Sequence, residues 1–326
     1  MVAVCPGADS GDAMTTSEIQ FDALLPVEMA AKAEQIGVKK AATDNVSLFV
    51  LAVLAGAFVA LGAIFYTTTI AGASGVMSYG SVRLMGGLVF SLGLVLVICG
   101  GAELFTGDVL IAMAWGSRKV STRSMLRTWG VVYAGNFVGS VATAVIVYLS
   151  GQYTFGNGAV GAAALSAASG KLGYGFLQAF CLGVLCNALV CLAVWLTYSA
   201  RTSGGKVLVL ILPISAFAAA GFEHCVANMY FVPEALLIKA GAPDAFWYAI
   251  GKTPADYAML AWETFLFRNL LPVTLGNIVG GSVLVGAVYW FLYLRRGSRA
   301  VPSTSQAEEL RCGGVPADHQ LEGQTD

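Results

Sequence analysis

The stretch Gly101-Ala102-Glu103-Leu104-Phe105-Thr106-Gly107 interrupts an apolar run in the first half of the chain, and Gly221-Phe222-Glu223-His224-Cys225 interrupts another in the second half. In each, a glycine stands two residues before a glutamate. Downstream of each interruption comes the pattern G-N-x-V-G, as Gly135-Asn136-Phe137-Val138-Gly139 and as Gly276-Asn277-Ile278-Val279-Gly280. Upstream of each comes an apolar helix rich in small residues, Leu54–Ala63 and Leu182–Ala193. The same marks in the same order predict an internal repeat with one broken helix per copy. Backbone that leaves the helix inside such a run has N–H and C=O groups that lipid cannot satisfy. It is tolerated only where protein buries it or where it lines a cavity.

Composition sets the surroundings of these breaks. The chain has 326 residues, 57% hydrophobic and 11% charged, with 18 Lys+Arg against 19 Asp+Glu. Its mean hydropathy is +0.74. Soluble domains carry roughly 25% charged residues, so this chain cannot clothe a water-facing surface and belongs in lipid. A soluble enzyme, a disordered scaffold and a nucleic-acid binder are excluded, the last because it needs a basic patch. The 39 glycines suit close helix packing and interrupted helices.

A helix needs about 20 apolar residues to cross a bilayer, and runs of that kind predict six spans. They are Ser47–Ala71, Leu84–Gly101, Thr128–Leu149, Gly175–Tyr198, Val207–Ala220 and Leu266–Leu294. The second and fifth are short, and each is followed by a polar interruption and a further apolar piece, Val109–Trp115 and Val226–Val232. Each repeat therefore crosses three times, and an odd number inserts the second copy upside down. The predicted fold is an all-α membrane protein with six transmembrane helices in an inverted 3+3 repeat (residues about 45–150 and 171–295) with two broken helices.

Residues 1–44 read as a polar cytoplasmic segment, with no basic-flanked apolar run to suggest a cleavable signal. Residues 296–326 hold Pro, Gly, Ser, Glu and Gln without an aromatic and read as a disordered cytoplasmic tail. Of the Lys and Arg residues, all but Arg83, Lys171, Lys239, Lys252 and Arg268 fall on the side of the N-terminus. That bias predicts both termini inside. The aromatic segment Leu236–Phe265, with Trp247, Tyr248, Tyr257 and Trp262, is expected along the membrane interface.

Ionisable groups at membrane depth are expensive and point to function. Glu103 and Asp108 flank the first break; Glu223 and His224 sit in the second. For the two glutamates the ordinary expectation is capping of the half-helix N–H groups. His224 is the one histidine outside the tail, and an imidazole can donate or accept a proton near neutral pH. Thr106, from the opposite break, can hydrogen-bond it. With no second histidine at that depth, a metal site is not expected. Lys40 and Lys171 stand singly at the feet of apolar spans, readable as a vestibule that attracts anions or as lysines snorkelling to the interface. The seven cysteines have no zinc or CxxC spacing, and no phosphate loop or hydrolase motif occurs, so no cofactor is expected.

The chain resembles the formate/nitrite transporter family. The resemblance rests on Gly101–Gly107, on Gly183-Val-Leu-Cys-Asn187-Ala-Leu-Val-Cys-Leu-Ala193, and on Gly221-Phe-Glu-His-Cys-Val-Ala-Asn228-Met-Tyr230. It rests also on Asn269-Leu-Leu-Pro-Val-Thr-Leu-Gly-Asn277-Ile-Val-Gly-Gly281 and Gly37-Val-Lys-Lys40-Ala41, in order over residues of about 35–295. Asp108 departs from it, standing where many members have Asn, and Ala188 stands where a larger apolar residue is usual.

The resemblance implies an aquaporin-like protomer in a homopentamer, multi-pass in the plasma membrane. It implies a central His224 faced by Thr106, with Gly107, Asn187, Glu223 and Asn228 around it and Lys40 and Lys171 in the vestibules. It implies two apolar constrictions, placed at Phe90, Leu94, Leu104, Val190 and Phe217. The implied activity is movement of a small monocarboxylate together with a proton, the neutral acid slipping past the histidine. The lone lysines and long tails look most like the lactate- and formate-exporting type of single-celled parasites, which favours lactate and formate, with acetate and pyruvate open. A nitrite/formate anion channel is the alternative. An aquaporin-like water pore would need Asn-Pro-Ala motifs, and a membrane enzyme a second base or metal; the sequence offers neither.

Overall fold

The computed structural model describes residues 23–73 and 75–295. The expected disordered tail lies outside the described residues. All regular structure among the described residues is helical, as expected.

Helix α1 (Pro26–Ala42) opens with Pro26 and Glu28 in its first turn and ends with Lys39 and Lys40 in its last, each charge matched to the helix dipole. Polar composition alone marks this segment only as an extension. Asp44 then accepts hydrogen bonds from the N–H groups of Val46 (3.0 Å) and Ser47 (2.9 Å) and starts α2 (Asn45–Ile70). There follow α3 (Tyr79–Gly100), the short α4 (Phe105–Gly116) and α5 (Thr122–Leu149). A 14-residue helix, α6 (Ala159–Leu172), links the halves. The second copy is α7 (Phe176–Ser199), α8 (Ser203–Ala220), α9 (Cys225–Gly241) and α11 (Thr264–Leu294), with a short α10 (Asp244–Ile250) before the last helix. Six of these helices are long and apolar enough to cross a membrane: α2, α3, α5, α7, α8 and α11.

The repeat shows in the packing. α2 lies along α5, and α7 along α11; α3 packs on α8, so the two broken spans are neighbours. Glycines permit the close pairings. A Cβ at Gly139 would press into the carbonyl of Val53, and one at Gly280 into the carbonyl of Val184, which are matching places in the two copies. α11 is regular over Leu271–Ile278, the stretch that carries Asn277, and π-wound on either side.

The aromatic segment before α11 is partly buried. Trp247 is buried, with Tyr257 6.0 Å away, because α10 folds it back onto the protein, whereas Tyr248 and Trp262 are exposed. Large apolar side chains such as Leu61, Ile146, Leu212 and Phe267 are exposed, as a surface that meets lipid requires.

Candidate functional site

Both breaks are built the same way. Gly101 ends α3 at φ +77° and Gly221 ends α8 at φ +80°, a conformation that glycine adopts without steric cost. Helix resumes at Phe105 and at Cys225, so the non-helical pieces are 101–104 and 221–224, and Thr106 and Gly107 belong to the first turn of α4. Each piece is held by the asparagine of the G-N-x-V-G motif. Asn136 Nδ2 donates to the carbonyls of Ala52 (2.7 Å) and Glu103 (3.0 Å), and its Oδ1 accepts from Phe105 N–H (2.9 Å). Asn277 Nδ2 donates to Gly183 (2.8 Å) and Glu223 (2.9 Å), and its Oδ1 accepts from Cys225 N–H (2.9 Å). Two buried amides thus supply the partners that lipid would withhold.

The half-helix N-termini meet at His224. Its Nδ1 accepts the backbone N–H of Ala227 at 3.0 Å, capping α9, and its Nε2 lies 2.9 Å from Thr106 Oγ1 on α4. A backbone N–H can only donate, so Nδ1 presents a lone pair and the ring proton sits on Nε2. The imidazole is therefore a fixed donor at the meeting point of two positive helix ends, a place that favours negative charge. The Phe217 ring stacks 5.9 Å from it.

Capping thus falls to the histidine and the asparagines, which corrects the expectation for the glutamates. Glu103 pairs with Lys40, and Glu223 Oε1 with Lys171 Nζ at 2.9 Å. Glu223 Oε2 also accepts from Asn228 Nδ2 (2.7 Å) and Asn269 Nδ2 (3.2 Å). Neither lysine snorkels alone: Lys40 also reaches Asp108 Oδ1 at 2.5 Å, and Lys171 lies over the Phe231 ring at 5.4 Å. Asn187 is buried, but its amide goes to the carbonyl of Asn277 at 2.6 Å rather than to the imidazole.

Cavities open on both sides. On the side of α1, one of about 40 Å³ is lined by Lys40, Leu94, Leu104, Gly107, Asp108 and Val194 among others. On the other side a vestibule of about 700 Å³ reaches down to Phe90, Phe217, Phe231, Glu223, His224 and Lys171. Phe90 and Phe217 meet edge to face at 5.7 Å, and Phe90 stacks with Phe231 at 6.4 Å. The residues placed in two constrictions thus divide between the two cavity floors, except Val190. It is buried and lines neither cavity; Val194, one turn on, does. Sequence reading also missed Phe231 and Arg83. Arg83 lines the large vestibule and donates to the carbonyls of Ala218 (2.6 Å) and Ala219 (3.0 Å) at the end of α8. The signal available for it was a single cation just before a broken span. Among the described residues no group of three or more His, Cys, Asp or Glu side chains is placed to hold a metal ion.

Comparison with known proteins decides the family. The model described as "Formate/nitrite transporter" matches residues 27–291. The chain belongs to the formate/nitrite transporter family. The formate channel FocA of Escherichia coli (strain K12) is 43% identical over 275 residues, covering 84% of this chain and 96% of that protein. FocA of Haemophilus influenzae is 43% identical over 270 residues, covering 83% and 95%. The solved structure "Pentameric formate channel with formate bound" is similar with a TM-score of 0.74 and 49% identity, covering 77% of this chain and 98% of that one. These relatives are channels and not enzymes, and the family resemblance read from the two breaks agrees with them.

Proposed function

We propose that the chain assembles as a homopentamer whose protomers each carry formate, and second to it lactate, between the two vestibules together with a proton. The named relatives are formate channels, which puts formate first. The N-terminal side is assigned to the cytoplasm, from the excess of Lys and Arg there, and the membrane to the plasma membrane. Arg83 adds positive charge to the large vestibule and draws in the anion there, Lys171 and Lys40 being paired with Glu223 and with Glu103 and Asp108.

The observation that carries this reading is a neutral imidazole, aimed by two hydrogen bonds, between apolar cavity floors. Between Phe90, Phe217 and Phe231 on one side and Leu94, Leu104 and Val194 on the other, a bare carboxylate faces a desolvation cost of many kcal/mol. Desolvation raises the pKa of the entering acid, so it takes up a proton there. Thr106 and the Nε2–H of His224 then offer the neutral acid hydrogen-bonding partners at the narrowest point, and it ionises again on the far side. A competing scheme holds the anion on an imidazolium. Protonating Nδ1 would break the cap on α9, and that cost supports the neutral-donor scheme.

Because a proton is consumed on entry, uptake rises as external pH falls. Labelled formate uptake into vesicles containing the protein should climb steadily from about pH 8 to pH 5, and a flat profile would defeat proton coupling. His224→Phe, which removes the donor and keeps a flat ring, should lower flux by at least tenfold, about 1.4 kcal/mol or more on the barrier; full retention refutes the central role.

A further inference from the structure

The two lysine clusters, alike in plan, differ in charge. On the vestibule side one ammonium, Lys171, meets one carboxylate, Glu223, and the other partners of that carboxylate are the neutral amides of Asn228 and Asn269. On the α1 side one ammonium, Lys40, meets two carboxylates, Glu103 and Asp108. Asp108 follows Glu103 by five residues, as Asn228 follows Glu223, so an acid occupies the place of an amide. Its side chain is 0% exposed, against 15% for Glu103. Asp108 lines the small cavity beside Leu104, and its Oδ2 is buried without a hydrogen-bond partner.

With Asp108 fully buried beside the part-exposed Lys40 and Glu103, two carboxylates and one lysine reach neutrality only by keeping a proton. A further cation beside this end of α1, Arg127 of α5, is turned to the carbonyls of Ala41 and Thr43, both at 2.9 Å. From α1 the facing charge is Lys40; from the break it is Glu103. From α5, Trp129 Nε1–H reaches only the Asp108 carbonyl, at 3.0 Å. From α7 the titratable groups are Tyr198, which lines the cavity, and Cys191, whose Sγ contacts the Thr106 carbonyl at 3.3 Å. From α11, Ser282 Oγ reaches the Val109 carbonyl at 3.2 Å.

We infer that Asp108 holds an exchangeable proton and is the residue that gives it to a small carboxylate entering from the α1 side, or receives it from the acid leaving there. This rests on the reading that the chain moves monocarboxylates with protons. The step balances. The Asp108 O–H bond breaks as an O–H bond forms on the substrate carboxylate. The Asp108 carboxylate left behind stays beside Lys40, and a proton from water on the α1 side restores the acid. His224 keeps its Nε2 proton throughout and acts as a donor only.

The test uses the full chain in vesicles reconstituted in one orientation, with formate flux measured while pH is varied on the α1 side alone. Wild-type flux from that side should fall toward tenfold per pH unit over part of the range from about pH 5 to 8, as one required proton dictates. Asp108→Asn copies the opposite cluster and should lower the flux from the α1 side by about tenfold or more, the residual flux keeping its pH dependence because the acid then takes its proton from water. Glu103→Gln, which leaves one carboxylate for one lysine and so takes the proton from Asp108, should lower it likewise and guards against misfolding of the first variant. Wild-type flux in both variants overturns the assignment. Infrared pH-difference spectra without substrate give a second readout: wild type should show a protonated carboxyl stretch that Asp108→Asn removes, and its absence from wild type also overturns the assignment. If wild type carries no formate at any pH, the transport reading falls, and the infrared result alone decides whether Asp108 holds the proton.

Discussion

Lys171 and Glu223 meet with side chains 18% and 2% exposed, so this pair is largely taken out of water. Breaking a buried pair by removing one partner leaves an uncompensated charge and costs about 3–5 kcal/mol, whereas neutralising both is far milder. Lys171→Met should therefore lower the yield of folded protein on size exclusion and its melting temperature, and Lys171→Met with Glu223→Gln should recover most of the loss. A double variant as unstable as the single would mean that Glu223 is not the partner that matters. The lysines were legible in the sequence as lone cations beside apolar spans. Their partners were not, since Glu223 lies 52 residues from Lys171 and Glu103 lies 63 residues from Lys40. Lacking those contacts, local rules assign the glutamates to helix caps, a role that His224 and two distant asparagines fill instead.

At the scale of elements, the two breaks stand because Asn136 and Asn277 each tie three backbone groups of two helices together. Each buried group left unpaired costs about 1–3 kcal/mol, so Asn136→Ala and Asn277→Ala should each destabilise the fold by several kcal/mol. Thermal unfolding in detergent should show matching drops for the two, as repeat symmetry requires; a silent effect at either position would deny it the clamp role. The breaks could be read from sequence because a glycine, a glutamate and a later G-N-x-V-G recur in the same order. α6 could not, since its 14 Ala-rich residues are too short for a span and carry no distinct polar face. α1 was also missed: Pro26 and Glu28 at its start and buried Met29, Ala33, Gly37 and Ala41 at four-residue spacing mark a helix, but side chains so small make a faint apolar face. Val190 lines neither cavity whereas Val194 does: apolar content names a helix, while the turn that lines a cavity depends on how α7 lies against α4.

For the whole molecule, inverted symmetry gives a path whose two mouths share a plan and whose middle belongs to one residue. His224 occupies the place in the second copy that Leu104 occupies in the first, so a single polar donor stands where symmetry would put an apolar side chain. That asymmetry suits a substrate that crosses once, as a neutral molecule, past one hydrogen-bonding station. The central claim is that the carboxylate and the proton cross together, so that no net charge moves. The most direct measurement is formate accumulation in vesicles under an imposed pH gradient or an imposed membrane potential, each applied alone. The account predicts accumulation that follows the pH gradient and ignores the potential. Accumulation driven by the potential with no response to the pH gradient would mean that the bare anion crosses, and would contradict it.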